Sequence, residues 1–128
     1  MGYSFDRRFE GEDFDDIVAR TREALAGKGF GVLTEIDVKA TMKKKLDEDL
    51  PPYLILGACN PPMAFKAIGA EPKIGAMLPC NVIVRDTGGA IEVSAVDPVA
   101  SMQAVDNPAL GEIAGQVRDM LQLAVADI

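Results

Sequence analysis

The chain has 128 residues, with 20 acidic and 13 basic side chains, so its formal net charge is −7 at pH 7. It contains no histidine and only two cysteines. These counts exclude Ser-His-Asp and Cys-His catalysis, histidine-ligated metals, four-thiolate zinc sites and a dense disulfide scaffold. At about 100–200 residues per domain, we expect one domain over residues 1–128.

The first half of the chain predicts two strands and two helices. Residues 3–9 alternate aromatic with polar side chains, which is typical of a half-buried strand. A helix follows whose first turn is rich in carboxylates. Gly29 is the candidate residue that ends this helix in a left-handed backbone conformation. Residues 31–37 predict a second strand, with Val32, Thr34 and Ile36 on one face. Asp37 can then cap a short helix, whose inner stripe is Val38, Met42 and Leu46.

The second half begins with a nearly unbroken apolar run over residues 53–59, which predicts a central strand buried on both faces. Asn60 is a candidate cap for a helix that has Pro61 at its first position and extends to about Glu71. Residues 80–86 and 90–97 flank a glycine turn and predict a β-hairpin. The last helix begins at residues 107–108 and has one strong apolar stripe.

These patterns predict about five strands and four or five helices. The last two strands form a hairpin and do not continue a regular βαβ series. The pattern therefore favours an α+β fold, a single two-layer domain in which helices pack on a mostly antiparallel sheet of about five strands. The methionines on these elements, such as Met63 and Met102, are interpreted as core side chains.

Charge and hydropathy limit the partners. The lysines at 39 and 43–45 are the only basic concentration, and the acidic residues 47–49 follow at once, so we expect no nucleic-acid binding. The N-terminus has no apolar signal region, and no stretch approaches 18 apolar residues, so we expect no membrane partner. These features predict a cytoplasmic protein whose two cysteines are thiols.

A repeated dipeptide, Cys59-Asn60 and Cys80-Asn81, is the most informative feature. Cys59 lies at a strand-to-helix junction, where unpaired amides and the helix dipole can stabilise a thiolate. The helix between the two pairs can return the chain, so that the thiols could face one another across neighbouring strands. The alternative is purely structural, because free cysteine is among the most buried residue types and Asn60 is explained as a cap.

Several segments resemble one family. Residues 29–41 read GFGVLTEIDVKAT, residues 52–61 read PYLILGACNP, residues 78–82 read LPCNV and residues 94–98 read SAVDP. Together they resemble domain of unknown function 302, a group of small prokaryotic proteins, over essentially the whole chain. The resemblance implies a compact α+β domain that forms a homodimer. The signature positions are Glu35, Asp37, Lys39, Cys59, Asn60, Cys80, Asn81 and Asp97.

Relatives carry a histidine in the helix after the Cys-Asn-Pro element, where this chain has Phe65. Metal or acid–base chemistry that depends on that histidine is therefore not expected here. The resemblance does not indicate which cofactor or reaction, if any, the protein uses, and whether the protein is an enzyme stays open.

Three functional hypotheses remain. The first is a homodimeric module that binds a small organic or anionic ligand. Its candidate binding residues are Lys39, Cys59, Asn60, Cys80 and Asn81, with Lys39 as the counter-charge. The second is a redox or sulfur-transfer protein in which Cys59 is the nucleophile and Cys80 resolves it. The third is a soft-metal site that uses both thiolates, favouring copper(I) or zinc; with no histidine in the chain, carboxylates, water or the second copy of a dimer would have to complete the coordination.

Overall fold

A computed structural model describes residues 2–128. Its elements, in chain order, are β1 (Ser4–Glu10), α1 (Phe14–Gly27), β2 (Gly31–Asp37), α2 (Val38–Leu46), β3 (Tyr53–Cys59), α3 (Pro61–Ala70), a 3₁₀ helix (Pro72–Met77), β4 (Cys80–Asp86), β5 (Ala90–Val96), α4 (Pro98–Ser101) and α5 (Pro108–Ala126). The five strands form one sheet in the order β1-β5-β4-β3-β2, and every neighbouring pair is antiparallel. The α+β fold expected from the sequence is confirmed.

Each of the five α-helices begins at an Asp or Asn whose side chain accepts a hydrogen bond from a backbone N–H of the first turn. These caps are Asp13, Asp37, Asn60, Asp97 and Asn107. A cap of this kind satisfies one of the otherwise unpaired amide donors at a helix start. Proline follows the cap directly in α3, α4 and α5, where its missing N–H costs no hydrogen bond.

One face of the sheet is covered by helices and holds the core. Side chains of β3, β4 and β5 that point to this covered face are fully or almost fully buried, among them Leu56, Val82, Val84, Val93 and Ala95. They pack in one cluster with Ile17 and Leu25 of α1 and with Val117 and Leu121 of α5. Helix α3 lies against α5 and extends this layer beyond the end of β3.

The other face of the sheet, called the open face below, carries the alternate side chains of the same strands. Tyr53, Ile55, Ile83 and Arg85 on this face are only partly buried. The prediction that β3 is buried on both faces was therefore wrong. The strand is central and apolar, yet only Leu54, Leu56 and the residues near its end are buried.

The β2–α2 segment also differs from the expected pattern. Val32 pairs with Ala58, but Thr34 pairs with Gly57, because a bulge at Leu33 shifts the register. An extra residue reverses the alternation of faces, so Val32 does not share a face with Thr34 and Ile36. Helix α2 lies at the edge of the sheet against β2 and β3 and buries no residue. Leu46, expected on its inner stripe, is 65% exposed.

Three smaller boundaries also moved. Tyr3 precedes β1 and is exposed, and β5 ends at Val96 because Asp97 is already the cap of α4. Helix α3 ends at Ala70, before a 3₁₀ helix that the sequence did not predict. Among residues 2–128, none of the helices combines the length and the apolar character that crossing a bilayer requires.

Candidate functional site

A small cavity, called the α3–α5 cavity below, lies where the end of β3 and the start of β4 meet helices α3 and α5. The space open to the centre of a water molecule inside it is about 30 Å³. The lining residues are Phe30, Ala58, Cys59, Asn60, Met63, Ala64, Ala67, Leu78, Pro79, Cys80, Pro98, Met102, Ile113, Ala114 and Val117. Both Cys-Asn pairs lie at this end of the sheet, one where β3 ends and the other where β4 starts. Cys59, Asn60 and Cys80 line the cavity, and Asn81 does not.

The cavity has a buried floor and a partly exposed rim. Met63, Cys80, Met102 and Ala114 belong to the floor and are buried. The rim consists of five partly exposed residues: Cys59, Asn60, Ala64, Leu78 and Pro79. Cys59 and Asn60 are therefore more accessible from solvent than Cys80.

The two cysteines lie close together without being direct partners in the sheet. Cys80 pairs with Ala58, and the next residue, Cys59, pairs with Gly31 on the other side of β3. Both are free thiols. Burial, together with a smaller contribution from the negative charge of an ionised Cys59, raises the pKa of Cys80 from its ordinary value of 9.0 to about 11. Cys80 therefore remains a neutral thiol at physiological pH.

Asn60 uses both ends of its amide within the fold. Its Oδ1 accepts a hydrogen bond of 3.2 Å from the backbone N–H of Met63, and its Nδ2 donates to the sulfur of Met120 at 3.8 Å. The site was predicted as a helix cap, and it is one. Gly29 makes room for this side chain, because a Cβ on Gly29 would lie 3.2 Å from Nδ2. The amide thus has little capacity left for a ligand.

The structure does not bring the other two predicted binding residues to the cavity. Asn81 points to the open face, where it is exposed opposite Gly57. Lys39 is exposed in the first turn of α2, at the sheet edge, and is not among the lining residues. The proposed counter-charge for an anionic ligand is therefore absent from the lining.

The remaining signature positions have structural partners. Glu35 accepts a hydrogen bond of 2.6 Å from Arg22 and so joins β2 to α1. Asp37 and Asp97 cap α2 and α4. Phe65, at the position discussed for a histidine, is exposed on α3. Glu35, Asp37 and Asp97 thus have structural roles in the fold, and none of these residues lines the cavity.

Sequence reasoning missed Met63 and Met102 as lining residues, since their helical spacing predicted core positions. Both are indeed buried, but they face the same cavity as the two cysteines. The sequence signal for Met63 is its position in the first turn of the helix that Asn60 caps, directly after Cys59. Within residues 2–128, no three His, Cys, Asp or Glu side chains are grouped as metal ligands.

A second concave surface lies on the open face. It measures about 580 Å³ by the same definition and is lined by Tyr3, Ser4, Asp6, Tyr53, Asn81, Ile83, Arg85, Glu92, Ser94 and Val96. It is far larger than the α3–α5 cavity, but it is a broad groove across strands with no enclosing helix among its lining residues.

Two of three comparisons with known proteins return a match, and both agree with this fold. Residues 6–128 match the family model described as "Domain of unknown function DUF302". The crystal structure of an uncharacterised conserved DUF302 protein from Bacillus stearothermophilus superposes with a TM-score of 0.92. That match has 24% identity and covers 99% of this chain and 98% of the other. No curated protein matches the chain.

Proposed function

This chain belongs to the DUF302 family, and we propose that it binds a small apolar organic molecule in the α3–α5 cavity. The observation that carries the proposal is the lining, which apart from Asn60 and the two thiols consists of hydrocarbon and thioether side chains. Apolar cavities of this kind bind apolar guests, because a water molecule inside them lacks hydrogen-bond partners. The absence of a cation from the lining favours a neutral ligand over an anionic one.

Size limits the ligand further. A volume of about 30 Å³ for a water-sized sphere admits only a few heavy atoms before side chains must move. Met63 and Met102 can move at low cost, because methionine is unbranched and adapts its rotamer to the space available. The partly exposed rim at Cys59, Ala64 and Leu78 provides the entrance.

The test uses benzene and protein labelled with ¹³C in its methionine methyl groups. Binding in the cavity is expected to shift the methyl signals of Met63 and Met102 and to leave those of Met42 and Met77 unchanged. Ala64→Leu, which fills the rim, is expected to abolish the shifts. Ala40→Leu makes the same change on exposed α2 and is the matched control. Benzene shifts that persist in Ala64→Leu would contradict the proposal.

The alternative thiol function has less support. A nucleophilic or resolving cysteine reacts as the thiolate, whereas the pKa of Cys80 is raised to about 11. Both cysteines are free, which suits the reducing cytoplasm in which we place the protein. Alkylation of Cys80 at neutral pH at the rate of an exposed thiol would restore this alternative.

We further propose that the protein is a homodimer in which a second copy covers the open face. Five strands about 4.8 Å apart and about 23 Å long give a face of roughly 550 Å², which approaches the 800 Å² that each partner buries in a standard interface. The face presents Tyr53, Ile55 and Ile83 beside the ion pair Arg85–Glu92. Because positive and negative side chains lie on the same surface, two copies related by a twofold axis can present complementary charges to each other.

Ile83→Asp places a charge at the centre of this surface, and we expect it to convert the dimer to a monomer in sedimentation equilibrium at micromolar concentration. Phe65→Asp removes an aromatic side chain from α3, away from the open face, and is expected to remain dimeric. A wild-type protein that sediments as a monomer would refute the dimer without affecting the cavity proposal.

A further inference from the structure

Half of the sulfur-containing side chains of the molecule line one cavity. The chain has two cysteines and six methionines, and Cys59, Cys80, Met63 and Met102 all line the α3–α5 cavity. Cys80, Met63 and Met102 are buried, with exposed fractions of 6%, 7% and 8%. The four residues lie on β3, β4, α3 and the end of α4, so the tertiary fold, not local sequence, places them around one cavity.

Sulfur ligands of this kind select soft cations. Thiolate and thioether donors favour copper(I), whereas calcium, magnesium and manganese take oxygen ligands. The lining contains no carboxylate, and the chain contains no histidine. Zinc in proteins takes four ligands drawn from thiolates, imidazoles and carboxylates, and only two of that set line this cavity.

From this donor set we propose that the α3–α5 cavity binds one copper(I) ion, with the Cys59 and Cys80 sulfurs as thiolate ligands and the Met63 and Met102 sulfurs as thioether donors. Both thiol protons leave to solvent as the Cu–S bonds form, and copper stays in the +1 state. The resulting site has a net charge of −1. Cys59 lies next to the N-terminus of α3, where the helix dipole stabilises negative charge.

A single ion also suits the size of the cavity. The volume of about 30 Å³ is sufficient for one cation without any rearrangement, whereas an organic molecule requires the methionines to move. The inference uses the cavity of the proposed function, but it requires no organic ligand. The two proposals can therefore fail separately.

The experiment is an anaerobic titration of the full chain with copper(I) in competition with a bathocuproine chelator. Wild-type protein is expected to bind one equivalent. Cys59→Ala, at a partly exposed position that tolerates the change, is expected to weaken binding by more than the roughly 10–100-fold that loss of an outer-shell partner costs a metal site. Zinc(II), titrated under the same conditions, is expected to bind more weakly than copper(I).

The methionines are tested with the double variant Met63→Leu/Met102→Leu, which keeps the apolar volume and removes both thioethers. We expect it to bind copper(I) at least about tenfold more weakly, a factor equivalent to 1.4 kcal/mol. Met42→Leu/Met77→Leu makes the same change outside the cavity and should match wild type. Copper(I) affinity that is unchanged in Cys59→Ala, or in the double variant of the lining, overturns the proposal.

Benzene binding separates the two proposals. The leucine double variant is expected to retain benzene, detected by ligand-observed NMR, because its lining is still apolar, although more weakly than wild type, because branched leucine adapts less readily than methionine. Loss of copper(I) with retention of benzene supports both assignments. A protein that binds copper(I) and not benzene refutes only the organic ligand, and the reverse result refutes only the metal.

Discussion

The two faces of the sheet are made by the same strands, yet they differ in almost every physical respect. Leu56 on the covered face is 0% exposed, while its neighbour Ile55 on the open face is only partly buried. The covered face packs against α1 and α5 and ends in the α3–α5 cavity. On the open face lie Tyr53, Ile83 and the Arg85–Glu92 pair. One face thus stabilises the monomer, and the other is available to a partner.

Adjacent residues of a strand lie on opposite faces of the sheet and therefore have different surroundings. Cys80 and Asn81 are neighbours in the chain, but the first faces the cavity and the second the open face. Because successive side chains of a strand point to opposite sides of a sheet, a dipeptide motif cannot act as one unit within a strand. Cys59-Asn60 remains together because it lies where β3 ends and α3 begins.

The largest contrast is expected between Leu56→Ala and Ile55→Ala. Removing Leu56 from the close-packed covered face should lower the free energy of unfolding by about 2–5 kcal/mol, since it leaves a cavity. Ile55→Ala should cost under about 1 kcal/mol in dilute protein, because its side chain is already in contact with water. Urea unfolding measures both.

Protein concentration sharpens this test. If a second copy covers the open face, the cost of Ile55→Ala rises with protein concentration, because binding a partner stabilises the folded state. The cost of Leu56→Ala should not depend on concentration in this way. Equal costs for the two variants in dilute solution would contradict the difference between the faces.

Much of the covered face could be predicted from the sequence. The apolar stripe of α5, the hairpin of β4 and β5 and the caps at Asp37 and Asn60 all follow from local rules, and each is present. The open face could not be predicted, because an apolar side chain such as Ile55 does not record which layer, if any, lies over it.

The candidate site was only partly predictable for a similar reason. Cys59, Asn60 and Cys80 line the same cavity, but Lys39 and Asn81 do not. The register of β3 with β4 places Asn81 on the open face. Lys39 is remote because α2 lies at the edge of the sheet and not over the cavity. Neither feature follows from local sequence. Met102 is brought to the cavity by α4 and by its packing near Ala67 and Ala114, a contact that no spacing rule provides.

A smaller effect concerns pH and the covered end of β4. The pKa of Cys80 is raised in the folded state from 9.0 to about 11, so the unfolded chain loses this proton first as pH rises. Stability is therefore fully present below about pH 9 and is lost between pH 9 and 11, by on the order of 2 kcal/mol for two pKa units. Urea unfolding of metal-free protein at several pH values measures the loss.

Cys80→Ala is the control for this pH dependence. It should be less stable at neutral pH, but its stability should fall less steeply between pH 9 and 11, because other groups that titrate there are common to both proteins. The same slope in both proteins would show that the Cys80 thiol is not shielded from water, and the division between covered and open faces would then fail at this residue.

The smallest contrast compares the two asparagines of the repeated dipeptide. Asn60→Ala removes the cap of α3 and the hydrogen bond to Met120, and should cost about 1 kcal/mol of stability. Asn81→Ala should cost within about 0.5 kcal/mol of zero, because its exposed side chain has no hydrogen bond within residues 2–128. Thermal unfolding of both variants in dilute protein measures the two stability losses and shows whether Asn60, and not Asn81, stabilises the monomer. If Asn81→Ala instead weakens self-association while leaving dilute stability unchanged, the open face is the surface on which this second asparagine acts.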